Sequence, residues 1–456
     1  LSFGTIAAFA GATPLQSFLS GTLSNSTLGI GDPARAIKWQ SYGGFIQDDW
    51  RITPRVTLNL GLRYEIQTPA WNENNNLLGN FSPGSATGLV QQSGGALTKT
   101  DWNNLAPRFG VAWDITGKST TVLRGGIGKY YVSDIAQWVF SAITPHTNPT
   151  GATLFMINGS TVQGPGTINQ GNLTIAGPTL SPNWAVNTPI FGTLPATANT
   201  LRCGNGIVPS PAPSPLPNPY PSPCNLGAVD PNIRSAQFLS WSLGVQRAIT
   251  KNLTLDVTYV GNHGKDLYFM VDVNQPTPGA TGASTVLQVR RPYYNQYPYL
   301  GQIKWLNNQD RSNYAGLQTT LTQRASHGLS FTAGYTYGHA LDDASLDGAN
   351  NPQIVMDSRN PRLEYGNSQY DIRNRLTLTA TYIVPGMKAP AQLLEGWQVN
   401  SSVTLNSATA YNAFDTNSDI SGTGEKDDRW NLSGDPHDFW GFGADKNIPC
   451  WGITAS

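Results

Sequence analysis

This sequence is short of charge. Lys, Arg, Asp and Glu together make up 12% of its 456 residues and balance to a formal net charge of +0. An ordinary soluble domain carries about 25% charged residues. Basic residues gather on no single segment, so the electrostatic footprint of a polyanion-binding surface is missing, and nucleic acid is not expected as a partner. No apolar run reaches the ~18 residues that a membrane-spanning helix requires. Cysteine is scarce, with Cys203, Cys224 and Cys450 the only three. The chain does not open on Met, and "LSFGTIAAFAGATP" has no basic stretch ahead of its apolar residues. The reading expected here is a chain that begins mid-protein.

What fills the sequence instead is Gly (48), aromatic residues (10%, with Trp 13 and Tyr 18) and uncharged polar residues. Mean hydropathy is −0.29, so the chain is not greasy overall. The apolar residues are arranged in a beat of two. In "RVTLNLGLRY", Val56, Leu58, Leu60, Leu62 and Tyr64 fall on one parity, and Thr57, Asn59, Gly61 and Arg63 on the other. The beat recurs at Leu239–Val245, Leu253–Tyr259, Leu329–Tyr335, Leu376–Tyr382 and Trp397–Leu405. A helix would repeat near 3.6, so these segments read as strands. Gly-rich or mixed members at Tyr42–Trp50, Arg108–Asp114, Thr121–Tyr131 and Tyr314–Arg324 bring the count to about ten strands of roughly 9–11 residues, the length of a tilted strand crossing a bilayer core.

The strands are expected to pair through short links at Arg51–Arg55, Ile115–Thr120, Ala248–Asn252 and Ala325–Gly328, with Val384–Gly396 longer. Long polar stretches separate the pairs, near 66–104, 132–236, 266–312 and 340–370. Compact soluble domains seldom hold one such loop. An outer-membrane barrel has this asymmetry, with short periplasmic turns and long extracellular loops. In lipid every backbone group must be paired, so the sheet must close on itself, and its outer face must be apolar while the inner face tolerates water. The fold class expected is therefore all-β, a transmembrane antiparallel β-barrel. Lipid-facing candidates are Leu58, Leu60, Leu62, Leu243, Leu255, Val257, Phe331, Leu378 and Val403. Aromatic-girdle candidates are Trp50, Tyr64, Trp241, Tyr259, Tyr335, Tyr382 and Trp397.

Motifs for chemistry mostly fail. "RGGIGKYY" (Arg124–Tyr131) has Leu123 where a phosphate loop needs its first Gly, and Tyr130 where it needs Ser or Thr. Asp415, Asn417 and Asp419 stand at calcium-loop spacing, but Ile420 and Lys426 replace the required Gly and Glu. A loop calcium site and a solvated acidic loop both remain open. His263, His327 and His339 show no paired ligand spacing. The pairs Asp48–Asp49 and Asp342–Asp343 point to opposite faces of an extended chain. No enzyme activity and no cofactor is expected. Cys203 and Cys224 bracket a Pro-rich stretch and are a candidate disulfide of an oxidising compartment, with two free thiols as the other reading. Trp71, Trp102, Trp138 and Trp184 in loops could stack on sugars or pack the loops together.

"GGFIQDDWRITPRVTLNLGLRYE" (Gly43–Glu65) resembles a phrase of the Oar-like branch of TonB-dependent receptors. "NNLAPRFGVAWDITGKSTTVLRGGIGKYY" (Asn103–Tyr131), "DIRNRLTLTATYIVPG" (Asp371–Gly386) and "DRWNLSGDP" (Asp428–Pro436) are similar to further phrases in the same order. The resemblance implies a bacterial outer-membrane barrel of about 22 strands with a plugged lumen, a TonB box, and an N-terminal carboxypeptidase-regulatory-like domain. Plug, box and N-terminal domain are not visible in residues 1–456, and "NIPCWGITAS" lacks the expected final strands, so a partial barrel is expected. The implied function is energy-coupled uptake of a scarce extracellular ligand. The implied partners are outer-membrane lipid and, through the missing N-terminal part, the TonB–ExbB–ExbD system. A surface barrel that binds partners through its loops, or a passive porin, are the alternatives.

Overall fold

The computed structural model describes residues 25–30, 37–132, 153–176, 224–345, 355–433 and 450–452, with short gaps inside these ranges. Ten strands form one antiparallel sheet. They are β1 (Ser41–Thr53), β2 (Val56–Gln67), β3 (Asp101–Asp114), β4 (Thr121–Tyr131), β5 (Gln237–Ala248), β6 (Leu253–Asp272), β7 (Leu300–Ser326), β8 (Leu329–Asp342), β9 (Asn374–Ile383) and β10 (Gln398–Asn406). Each strand pairs with its sequence neighbours, so the sheet is a meander from β1 to β10.

The short links are turns held by their own side chains. Thr53 Oγ1 accepts the Val56 N–H at 3.0 Å, and Thr250 Oγ1 accepts the Leu253 N–H at 3.0 Å. The Asp114 carboxylate accepts the N–H groups of Gly117 and Ser119 at 2.9 and 2.8 Å. His327 (φ 52°) and Gly328 (φ 80°) make the β7–β8 turn in the left-handed region, where the missing Cβ of Gly costs nothing. Short polar residues in these links thus replace the ladder bonds that the chain gives up as it reverses.

Strand lengths depart from the expected range. β6 has 20 residues and β7 has 27, so the connection expected over 266–312 contracts to 273–299. The outer halves of β6 and β7 run past the other strands and pair with one another from Phe269↔Asn307 to Asp272↔Lys304, after two register shifts. A further strand, Cys224–Val229, adds to β7 in parallel. One short helix, Ser284–Val289, lies in the connection between β6 and β7.

The buried apolar clusters fall outside the regular part of the sheet. Val229, Ile233, Met270 and Leu306 form one buried cluster. Ala228, Tyr297, Leu300 and Ile303 form a second with Phe81, and Phe269, Val271 and Val355 form a third. The β6–β7 extension is therefore covered by residues from other connections. By contrast, Leu60, Leu62, Leu239, Leu243, Leu317, Leu376 and Leu405 on the ten strands are exposed. A water-soluble sheet would bury such a face.

Candidate ligand-binding lumen and outer cap

Directly paired residues of an antiparallel sheet share a face, so the register assigns every side chain. One row runs Leu58, Val111, Gly125, Leu243, Tyr259, Leu317 and Tyr337. A second runs Val257, Thr319, Tyr335, Leu376 and Leu405. Leu60, Leu62, Leu255, Phe331, Leu378 and Val403 belong to the same apolar face. The girdle candidates Trp50, Tyr64, Trp241, Tyr259, Tyr335 and Tyr382 lie on it too. Trp397 stands just before β10 and is exposed.

These aromatic residues stand at different heights along the strands. Trp50 adjoins the β1–β2 turn, and Tyr382 and Trp397 flank the longer β9–β10 connection. Trp241 lies inside β5, opposite Ile127 and Gly261, rather than beside a turn. Tyr259 and Tyr335 are also interior, because β6 and β8 continue well beyond them. Tyr64 is near the outer end of β2, and its hydroxyl donates to the Trp102 carbonyl at 2.6 Å. The two carboxylates of Asp48–Asp49 separate as alternation requires. Asp49 accepts from Asn59 Nδ2 at 2.6 Å on the polar face, whereas Asp48 pairs with Leu60 on the apolar face of the edge strand.

The polar face curls. Residues of seven consecutive strands, from Gln47 on β1 to Tyr314 and Gln318 on β7, line one open cavity of about 600 Å³. Such a span of lining is possible only if the sheet bends around that face. Among the described residues that line it, Arg108 brings the cavity its one ionic side chain. Its guanidinium stacks on the Tyr130 ring at 4.5 Å from the centroid. Asn262 Nδ2 donates to Ser240 Oγ at 2.6 Å. Sequence reasoning did not single out Arg108, Tyr130 or Tyr314. Only the pairing register, not the alternation, brings them together.

At the long-connection end the cap is a bonded assembly. Asn80 exchanges two hydrogen bonds with the Val229 backbone, at 2.8 and 2.9 Å. The Tyr297 hydroxyl donates to the Ser85 carbonyl at 2.6 Å. Gln275 is bonded to the backbone of Met356 and Ser358. A stretch after β10 joins in: Arg290 Nη1 donates to the Gly422 carbonyl at 3.1 Å, and Arg429 pairs with Glu364 at 3.1 Å. Connections distant in sequence are thereby fixed to one another.

Titratable groups are buried within this cap, beyond the strand segments that match membrane thickness. Asp272, with its side chain fully buried, meets Arg291 Nη1 at 3.1 Å. It also accepts the N–H groups of Asn274 and Ile303, both at 2.8 Å. Burial raises its carboxyl above the ordinary range, against the pull of Arg291. Burial likewise lowers the Lys304 ammonium, opposed by Glu425 and Asp272. Glu425, which accepts from Gln302 Nε2 at 3.0 Å, is pushed up to about 7 by burial and then by Asp272. Asp310 is pushed up to about 7 by burial, with Asp343 and Asp342 adding to it. Removing charge from water favours the neutral acid.

Of the calcium-spacing residues, Asn417 lies outside the described residues. Asp419 accepts the Gly424 N–H at 3.1 Å and so stabilises its own loop. Among the described residues there is no group of three or more His, Cys, Asp or Glu arranged to hold a metal. His263 bonds Asn313 and His339 bonds Asn367, each on neighbouring backbone segments. Cys203, Trp138 and Trp184 lie outside the described residues, while Cys224 begins the strand parallel to β7. The described part of "RGGIGKYY" is strand β4 throughout, with no helix for a phosphate to cap.

A curled antiparallel meander with one apolar exposed face, one polar face and long connections at one end defines the wall of an outer-membrane barrel. The chain belongs to the family described as outer membrane beta-barrel domain, whose match covers residues 2–447. Its location is accordingly the bacterial outer membrane. Among curated proteins no relative matches. Solved structures similar to the chain include the outer membrane transporter YddB of Escherichia coli, with 12% identity over 87% of this chain and 46% of that one, at a TM-score of 0.40. The alcaligin outer-membrane receptor FauA of Bordetella pertussis has 11% identity over 82% and 38%, at 0.35. The pyoverdine outer-membrane receptor FpvA of Pseudomonas aeruginosa PAO1 has 9% identity over 83% and 33%, at 0.38. The chain spans less than half the length of each. Family membership rests on the domain match.

Proposed function

We propose that this chain is the wall and outer cap of a TonB-dependent transporter of the Oar-like branch, which takes up a scarce ligand from outside the cell. The observation that carries the reading is the cavity shared by seven consecutive strands on the polar face, set against an apolar opposite face. A wall of this kind encloses a water-filled interior and meets lipid outside. The apolar rows named above are the lipid face. The connections 68–100, 132–236, 273–299 and 343–373 lie outside the cell, and the short turns lie in the periplasm. Among the described residues the edges at β1 and β10 are each paired on one side only. Unpaired backbone is costly in hydrocarbon, so further strands close the barrel between them. The phrases at Gly43–Glu65 and Asp371–Gly386 support the Oar-like assignment and, with it, coupling to TonB–ExbB–ExbD through a plug. The bonded cap supports a receptor role, because connections fixed to one another present a defined outer surface. Catalysis has no place in this reading.

The test is uptake by cells carrying the full-length protein, with and without a functional TonB system. Ligand accumulation that stops when TonB is deleted supports active transport. Accumulation indifferent to TonB would turn the account to a passive porin. Partner binding with no accumulation would turn it to an adhesion barrel.

A further inference from the structure

We propose that the lumen cavity is a binding subsite for a carboxylate-bearing sugar ring, an oligouronide, with Arg108 as the residue that reads the acid. This inference rests on the transporter reading and names its ligand class. The lumen wall is mostly uncharged, and its ionic groups are largely engaged elsewhere. Arg63 pairs with Glu65 on the same strand, Asp49 is bonded by Asn59, and Asp256 accepts from the Thr258 hydroxyl at 2.8 Å. Arg108 differs. Among the described residues no carboxylate lies within ion-pair reach of it, and its contact is the face of Tyr130. A guanidinium that stacks on a ring keeps its charge and its planar fork of donors directed edgewise. Such a fork matches a carboxylate bidentately.

The rest of the cavity suits a hydroxylated ring rather than a bare anion. Tyr314 leans across two paired glycines, Gly316 on its own strand and Gly338 on β8. A Cβ at Gly316 would come within 2.6 Å of its hydroxyl oxygen, and one at Gly338 within 2.8 Å. The absence of both Cβ atoms lets that side chain lie along the wall and offer its face inward. Tyr130 leans over Gly128 in the same way, at 3.1 Å. Around them stand the amides of Gln47, Gln318 and Asn262 and the hydroxyl of Ser242, an alternating set of donors and acceptors for sugar hydroxyls. A volume of about 600 Å³ accommodates two or three sugar rings. A phosphate or simple carboxylate would use Arg108 and leave the Tyr314 face and the amides without a role.

The test uses the full-length protein purified from outer membranes and calorimetric titration with trigalacturonic acid and its methyl ester. The expected result is binding of the acid at least about tenfold tighter than the ester, the difference that one bidentate charge-assisted pair makes. Arg108→Gln should abolish that preference by weakening acid binding at least about tenfold, and Arg108→Lys should restore part of it. Tyr314→Ala should weaken acid and ester alike. No binding of the acid, equal binding of acid and ester, or a preference that survives Arg108→Gln would each overturn the proposal. Heat-modifiable migration of every variant checks that the barrel is folded. The two readings fail separately. TonB-dependent uptake of some other nutrient, unaffected by Arg108→Gln, would sink the uronide site alone. Acid-selective binding without TonB-dependent uptake would sink the transporter reading alone.

Discussion

Placing an arginine on the proposed lipid face should be costly in proportion to depth. Leu243 is 55% exposed, lies inside β5, and is flanked on the same face by Gly125 and Tyr259. Moving a guanidinium to such a position costs about 2–4 kcal/mol near the bilayer midplane, falling to about 0–1 near the interfaces. Leu243→Arg should therefore lose about 2–4 kcal/mol. Leu255 is on the same face but only just past the β5–β6 turn, opposite Arg247, so Leu255→Arg should lose about 1 kcal/mol or less. Thr258 faces the polar side, between Gly244 and Gln318, and Thr258→Arg should stay within about 0.5 kcal/mol of the parent. Denaturant titration of the full-length barrel refolded into lipid vesicles measures all three. A Leu243→Arg variant as stable as Thr258→Arg would refute the assignment of faces.

Arg291→Ala should strand the fully buried Asp272 carboxylate and cost about 3–5 kcal/mol, as broken buried ion pairs do. Faster hydrogen exchange should appear in 284–306, with strands β1–β5 and β8–β10 unaffected. Glu425 and Asp310 have folded-state values near 7, raised from 4.5 and 3.8. A raised acid holds its proton longer in the folded state, so the stability these two groups contribute to the cap is fully present below about pH 4 and is lost as pH rises through about 7. Corrected for the intrinsic pH dependence of amide exchange, protection in the cap should be greater at pH 5 than at pH 8, and Glu425→Gln should flatten part of that slope. Epitopes placed after Gly279 or at Pro215 should label on intact cells, while those at Lys118 or Asn252 should label only after permeabilisation. Non-reducing mass spectrometry should find Cys203 linked to Cys224, and the double Ser variant should stay inserted but be cut more readily in that connection. Two free thiols, or a link to Cys450, would end the pairing.

Much of the wall was legible in the sequence because a period of two is a local property. Leu239 to Val245 and Leu376 to Tyr382 state their faces without any knowledge of their neighbours. The turns were legible for a similar reason, since Thr53, Asp114 and Thr250 bond to backbone only two to five residues away. Strand length was not legible where β6 and β7 continue into the cap. "LYFMVD" and "LGQIKWLNN" are buried from both sides, so their alternation fades into a mixed run, as buried strands do. The level of Trp241 and the shallow position of Leu255 depend on where each strand ends, which alternation alone does not state. The cap ion pairs join residues such as Arg429 and Glu364, which are distant in sequence. The cavity residues share nothing local either. Arg108, Tyr130 and Tyr314 meet only through the register of β3, β4 and the strands up to β7. Asp48 shows the limit of pattern from the other side, a charge on the apolar parity of an edge strand.

The most direct test of the account is a single-cysteine scan along β5 in the full-length protein in native outer membranes, with Cys203, Cys224 and Cys450 replaced by Ser. The account predicts alternation. Cysteines at Leu239, Trp241, Leu243 and Val245 should react with a membrane-partitioning maleimide and resist a charged one. Those at Ser240, Ser242, Gly244 and Gln246 should show the opposite. Uniform reactivity along the strand, or the charged reagent favouring the Leu243 row, would contradict a barrel wall with lipid on one face and water on the other.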